Sequence, residues 1–102
     1  MEKRVIEDFI KYSKKKAGMP EVANKSEVAM VECAYQLVGN LYPGKYHAQV
    51  IKVCCDTLVA SELEQIDAKI SLMAGVVHSS MKDKEYDMKA LEYEFNHPRT
   101  IK

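Results

Sequence analysis

After Pro43 and Gly44 the chain sets apolar residues at helical spacing: Ala48, Ile51, Cys55, Val59, Leu63, Ile66, Ile70, Met73, Val77 and Met81. A repeat of about 3.7 residues follows one face of an α-helix and is far from the two-residue alternation of a strand. No glycine or proline intervenes before Gly75, so the spacing predicts one long helix over residues 45–80. Its first half is apolar on several sides, through Val50, Val53, Cys54 and Leu58 as well as the stripe. The second half keeps a single stripe flanked by Glu62, Glu64, Gln65, Asp67 and Lys69, so deeper burial is expected at the start.

Three further helices are expected around it. Residues 2–17 place Val5, Ile6, Phe9, Ile10 and Ala17 on one side with Tyr12 at the margin. Acidic residues lie toward the start of this segment and Lys14, Lys15 and Lys16 toward its end, which suits the helix dipole, and Gly18 and Pro20 supply a stop. Asn24 with Glu27 three residues later forms a capping-box pattern and starts a second helix that runs to Gly39 or Asn40. Its apolar residues Val28, Met30, Val31, Ala34, Tyr35, Leu37 and Val38 cover most of the circumference, leaving Glu32, Gln36 and Gly39 as the expected wet edge of a helix set between others. The short Leu41-Tyr42-Pro43-Gly44-Lys45 connection makes the second and third helices an antiparallel hairpin. A last segment over residues 83–95 carries Met88, Leu91 and Phe95 on one side and Tyr86, Ala90 and Tyr93 on another, ended by His97 and Pro98. The alternative is that the third and fourth helices run on with a kink at Gly75. The fold class expected is an all-α, single-domain small helical bundle (residues 1–102), built on that hairpin with one long helix.

Length turns this pattern into an expectation about assembly. A helix over residues 45–80 would be about 54 Å long at 1.5 Å per residue. A compact domain of this size is only about 30 to 35 Å across. The overhanging stripe of Leu63, Ile66, Ile70, Met73 and Val77 must therefore meet a folded-back fourth helix or the same surface of another subunit, and a homo-oligomer is expected.

Composition narrows the class. Fifteen basic and fifteen acidic residues balance, and three prolines and four glycines in 102 residues exclude a disordered or collagen-like chain. No run of apolar residues is long enough to span a bilayer, and the charged start, Met1-Glu2-Lys3-Arg4, lacks a signal peptide's apolar core, so neither secretion nor a membrane is expected. Cys33, Cys54 and Cys55 lie inside helical patterns and are odd in number, which fits reduced core thiols and a cytoplasmic setting. Residues 1–25 carry a surplus of three positive charges, consistent with a solvated face, an anionic ligand, or a basic end that docks on an acidic surface of another copy.

Candidate chemistry is sparse. His47, His78 and His97 have no histidine or cysteine partner one helical turn away, so no zinc motif exists and each is expected to be solvated or hydrogen-bonded. The serines lack a nucleophile-elbow context, no glycine-rich phosphate loop occurs, and Glu-x-x-His occurs once, at Glu94 and His97, where a di-iron site needs it on two helices. No enzyme, metal or cofactor is expected. Tyr42, Lys45 and Tyr46 instead join aromatic faces and a cation at a helix start, and Lys11, Tyr12, Lys14 and Lys15 offer a second such cluster that would close over the same phosphate-bearing ligand. The plainer reading of these tyrosines is buried rings with wetted hydroxyls.

The connection 41–45 followed by Val50, Ile51, Cys55, Leu58, Val59 and Ile66 resembles small phage-encoded helical proteins that sequester cyclic nucleotide immune messengers, the anti-CBASS type of sponge, over about residues 34–70. The resemblance implies a compact oligomer that sequesters an anionic nucleotide as an anti-defence protein, without chemistry, through Tyr and Lys at subunit junctions. Two functions are thus expected in competition. One is a nucleotide-binding oligomer using Tyr12, Lys14, Tyr42, Lys45 and Tyr46, and the other is an inhibitor or adaptor that presents a helix face to a protein partner. Duplex DNA is disfavoured, because the chain has no overall basic excess.

Overall fold

A computed structural model describes the backbone over residues 3–96 and the side chains over residues 3–81. Four helices make the fold: α1 (Lys3–Lys16), α2 (Lys25–Val38), α3 (His47–Ala60) and α4 (Ile66–Asn96), with single 3-10 turns at Gly39–Leu41 and Gly44–Tyr46 between α2 and α3. No strand occurs among the described residues.

The expected ends of the first two helices are present in detail. Gly18 adopts φ +72, and its N–H donates to the Lys15 carbonyl at 3.1 Å while the Met19 N–H donates to that of Lys14 at 2.8 Å. That double bond to the last turn is the Schellman arrangement, which needs a residue free to enter left-handed space. At the start of α2 the Glu27 carboxylate accepts the Asn24 N–H at 2.9 Å and closes the capping box.

The long helix expected over residues 45–80 is two helices. Residues 61–65 leave helical geometry although they contain neither glycine nor proline. Ser61 takes an extended conformation (φ −69, ψ 136), and its Oγ accepts the Leu63 N–H at 3.1 Å in a serine turn. Burial decides the break. A continuous helix would carry Met73, Val77 and Met81 past the end of the bundle, whereas reversal buries all three completely at about 1.5 to 3 kcal/mol each. The stripe positions sacrificed are Leu63 and Ile66, exposed at 44% and 55%. Gly75, the position expected to stop or kink the helix, lies inside α4, which continues through it to Asn96 and takes in the backbone of the expected fourth segment. The side chains of Tyr86, Met88, Ala90, Leu91, Tyr93 and Phe95 lie outside the described residues.

The helices form three layers. Both α1 and α4 pack against α2 and α3, and no comparable contact joins α1 to α4 among the described residues. Two helices that share both neighbours without meeting lie on opposite sides of them, so the α2–α3 pair is the middle layer. The core follows: Ile6 and Ile10 from α1, Val28, Val31, Ala34 and Val38 from α2, Val50, Ile51, Cys54, Cys55 and Leu58 from α3, and Met73, Val77 and Met81 from α4. This placement explains why the sequences of α2 and α3 are apolar around so much of their circumference. The molecule measures 53 × 23 × 23 Å, longer than a compact sphere of this mass, since α4 alone spans about 46 Å.

Candidate functional site

Two of the five polar side chains singled out by the sequence, Lys14 and Tyr42, are turned inward. Ile6, Ile10 and Lys14 recur every four residues, which carries Lys14 onto the buried face of α1. Its ammonium reaches the Glu27 carboxylate at 2.9 Å and also donates to the Val22 carbonyl, so the chain uses it to clamp the α1–α2 connection. Beside it Ser13 Oγ donates to Asp56 Oδ1 at 2.6 Å, joining α1 to α3, and Lys16 Nζ lies 3.4 Å from the same carboxylate. The spacing from Ile6 and Ile10 was the signal that Lys14 is no surface cation.

Tyr42 is also internal. Its ring is a core member, only 7% exposed, and its hydroxyl shares a 3.1 Å hydrogen bond with His78 Nδ1, tying the α2–α3 connection to α4. His47 shares a 2.6 Å hydrogen bond with the Tyr35 hydroxyl, the rings meeting edge to face at 74°. Neither partner is visible from local spacing, because each pair joins residues on different elements. Gly39, expected at the wet edge of the second helix, is buried with Tyr35 lying over it, and a Cβ there would stand 2.7 Å from the ring. His97 lies outside the described residues.

Tyr12, Lys14, Tyr42, Lys45 and Tyr46 do not converge. Ser13, next to Tyr12 and Lys14, faces Asp56, ten residues beyond Tyr46, which separates the two clusters by about 15 Å along α3. Two small cation–aromatic pairs remain. Lys16 Nζ is 5.0 Å from the centre of the exposed Tyr12 ring, and Lys45 Nζ is 5.5 Å from that of half-buried Tyr46. Of the five residues expected at a subunit interface, Met73 and Val77 belong to the chain's own core, Ile70 packs half-buried against it, and Leu63 and Ile66 are exposed.

Three hollows lie on the described surface of α1 and its neighbours. A groove of about 270 Å³ lies along Val5, Asp8, Phe9 and Tyr12 of α1. Another of about 270 Å³ runs between α1 and α2 past Lys3, Glu7, Lys25 and Glu32, and one of about 320 Å³ between α1 and α3 past Ser13, Lys16, Asp56 and Val59. None of these linings includes a histidine or cysteine, and no group of three potential metal ligands occurs among the described residues. Cys54 and Cys55 are fully buried, and burial pushes both thiols up to about 12, with Cys54, Asp56 and Glu27 adding to the effect at Cys55. Such thiols are inert packing groups.

An apolar strip also remains exposed. Ala29, Cys33, Leu37 and Leu41 recur every four residues and all face outward along α2 and the turn that follows it, Leu37 at 61% and Leu41 at 56%. The circumference of α2 is apolar beyond what α1, α3 and α4 cover, and this strip is the excess. No described helix is long and apolar enough to cross a membrane. No protein-family model, curated protein or solved structure matches the chain.

Proposed function

We propose that the chain is a non-enzymatic protein-binding module, an inhibitor or adaptor built on an antiparallel α2–α3 hairpin, which presents the outer strip of α2 to a larger partner. The observation that carries this reading is the division of side chains. Lys14, Ser13, Tyr35 and Tyr42 are paired within the chain, while Ala29, Cys33 and Leu37 form an uncovered apolar strip about 12 Å long, with exposed Leu41 in the turn beyond it. A strip with anchors at i, i+4 and i+8 is the form in which one helix face enters a hydrophobic groove or lies against another helix. Three unpaired thiols support a reducing, cytoplasmic setting.

The competing reading, sequestration of a phosphate-bearing nucleotide, is left with Tyr12, Lys45 and Tyr46, because Lys14 and Tyr42 are committed internally. Capture from an extract of the native cells separates the two. The wild-type chain is expected to retain one protein in stoichiometric amount, unaffected by added nucleotides, and Leu37→Lys/Leu41→Lys is expected to lose it. Heat on titration with cyclic or linear nucleotides at low salt, with no protein retained, would overturn the proposal.

A further inference from the structure

The charge surplus at the start of the chain lies on one face of the fold. On α1, Arg4, Lys11 and Lys15 are exposed on one stripe, and Tyr12 with half-buried Val5 and Phe9 forms the stripe beside it, ended by exposed Lys16. Asp8 is the only exposed carboxylate among the described residues of α1. The reversal between α3 and α4 has the opposite character. Leu63 and Ile66 stand exposed among Glu62, Glu64 and Asp67, all exposed as well. Each surface is an apolar centre with a charged rim, the arrangement of a protein interface, and the rims are opposite in sign. Lys11, Lys15, Glu62, Glu64 and Asp67 form no ion pair with any other described residue.

We infer that these two surfaces dock on each other between copies, so that α1 of one chain covers the α3–α4 reversal of a second. The occupant is set by charge complementarity within the one sequence. Position allows closure. The C-terminal end of α1 lies against α3 through Lys16 and Asp56, and α3 ends four residues beyond Asp56, at Ala60, where the reversal begins. Both surfaces thus occupy the same end of the molecule, and a single two-fold axis there makes the junction twice. This contact is separate from the α2 strip, so it stands whether or not that strip takes another protein.

Charge exchange tests it by sedimentation equilibrium on three chains: wild type, Lys11→Glu/Lys15→Glu, and Glu62→Lys/Glu64→Lys. All four positions are exposed, and circular dichroism checks that each variant keeps its helix content. The wild type is expected to sediment at twice its 11.6 kDa, with affinity that falls as salt is added. Each variant alone, with like charges on both surfaces, is expected to dimerise about 100-fold more weakly. Mixing the two variants restores opposite charges at both junctions, so the mixture is expected to regain wild-type affinity as a heterodimer. A wild-type chain that stays monomeric would overturn the inference and leave these faces to a different protein. So would a dimer that both variants form as well as the wild type, or a mixture no tighter than its parts.

Discussion

Removing Glu27 should cost the protein more than any other single carboxylate described here, because two parts of the fold share that one group. Its Oε1 accepts the Asn24 N–H at 2.9 Å and the Lys14 ammonium at 2.9 Å, with side-chain exposures of 18% for Glu27 and 9% for Lys14. Glu27→Ala leaves the Lys14 ammonium facing only the Val22 carbonyl. Stranding a buried charge costs about 3 to 5 kcal/mol, and the partial exposure here places it at the low end, about 3 kcal/mol. Losing the capping-box bond adds about 0.5 to 1 kcal/mol. The sum, near 3.5 kcal/mol, is a large share of the 5 to 15 kcal/mol typical of a domain this size and corresponds to a melting point roughly 15 to 25 °C lower. Lys14→Met removes the charge and keeps the stem, and its cost is expected to be only about 1 to 2 kcal/mol, since Glu27 can rehydrate and still cap α2. Urea unfolding of the four proteins of this cycle gives the coupling. The double variant Lys14→Met/Glu27→Ala is expected to be at least about 1.5 kcal/mol more stable than additivity allows. A Glu27→Ala loss under about 1 kcal/mol, or additive losses, would refute the clamp and return Lys14 to the surface.

Other consequences follow from single positions. Gly75 sits exposed inside α4 with nothing within 4 Å of an added Cβ, so Gly75→Ala is expected to raise stability by about 0.5 to 1 kcal/mol in thermal melts. Gly39→Ala is expected to cost about 1 to 3 kcal/mol by driving Tyr35 off the backbone and away from His47, and most of that loss should vanish in a Tyr35→Ala background. Iodoacetamide at neutral pH should modify the native chain once, at exposed Cys33, and the unfolded chain three times, as read by intact mass. The raised thiols of Cys54 and Cys55 also set an alkaline limit. The unfolded chain releases these protons near pH 9 and the folded chain near 12, so stability is full below about pH 8.5 and falls by up to about 1.4 kcal/mol per thiol per pH unit between those values.

Local signals in the sequence are legible where one turn of chain contains the cause. Gly18 and Pro20 mark the end of α1 because the left-handed residue and its two hydrogen bonds span only Lys14 to Met19. Asn24 and Glu27 mark the start of α2 for the same reason. The reversal at residues 61–65 was not legible, because nothing in Ser61-Glu62-Leu63-Glu64-Gln65 forbids a helix. It is imposed from outside by the room beside α2 and α3 for Met73, Val77 and Met81. Two of the site residues misled by composition. Lys14 reads as one of three surface lysines until its four-residue spacing from Ile10 is noticed, and Tyr42 reads as a stacking platform until α4 returns to supply His78. The outer strip of α2 is hidden in the sequence because Leu37 carries the same apolar signal as the core positions, and only the layering shows which side of α2 has no neighbour.

That layering depends on α4 folding back, and the reversal decides which half of the long stripe is core and which is available to partners. Thermal melting of Val77→Asp beside Ile66→Asp tests it most directly. Val77 is fully buried and Ile66 is 55% exposed at the first turn of α4, where an acidic residue also suits the helix dipole. The account predicts a loss of about 3 kcal/mol or more for Val77→Asp and a change within about 0.5 kcal/mol for Ile66→Asp. Equal losses at the two positions, as one uninterrupted helix with a continuous buried stripe would give, would contradict it.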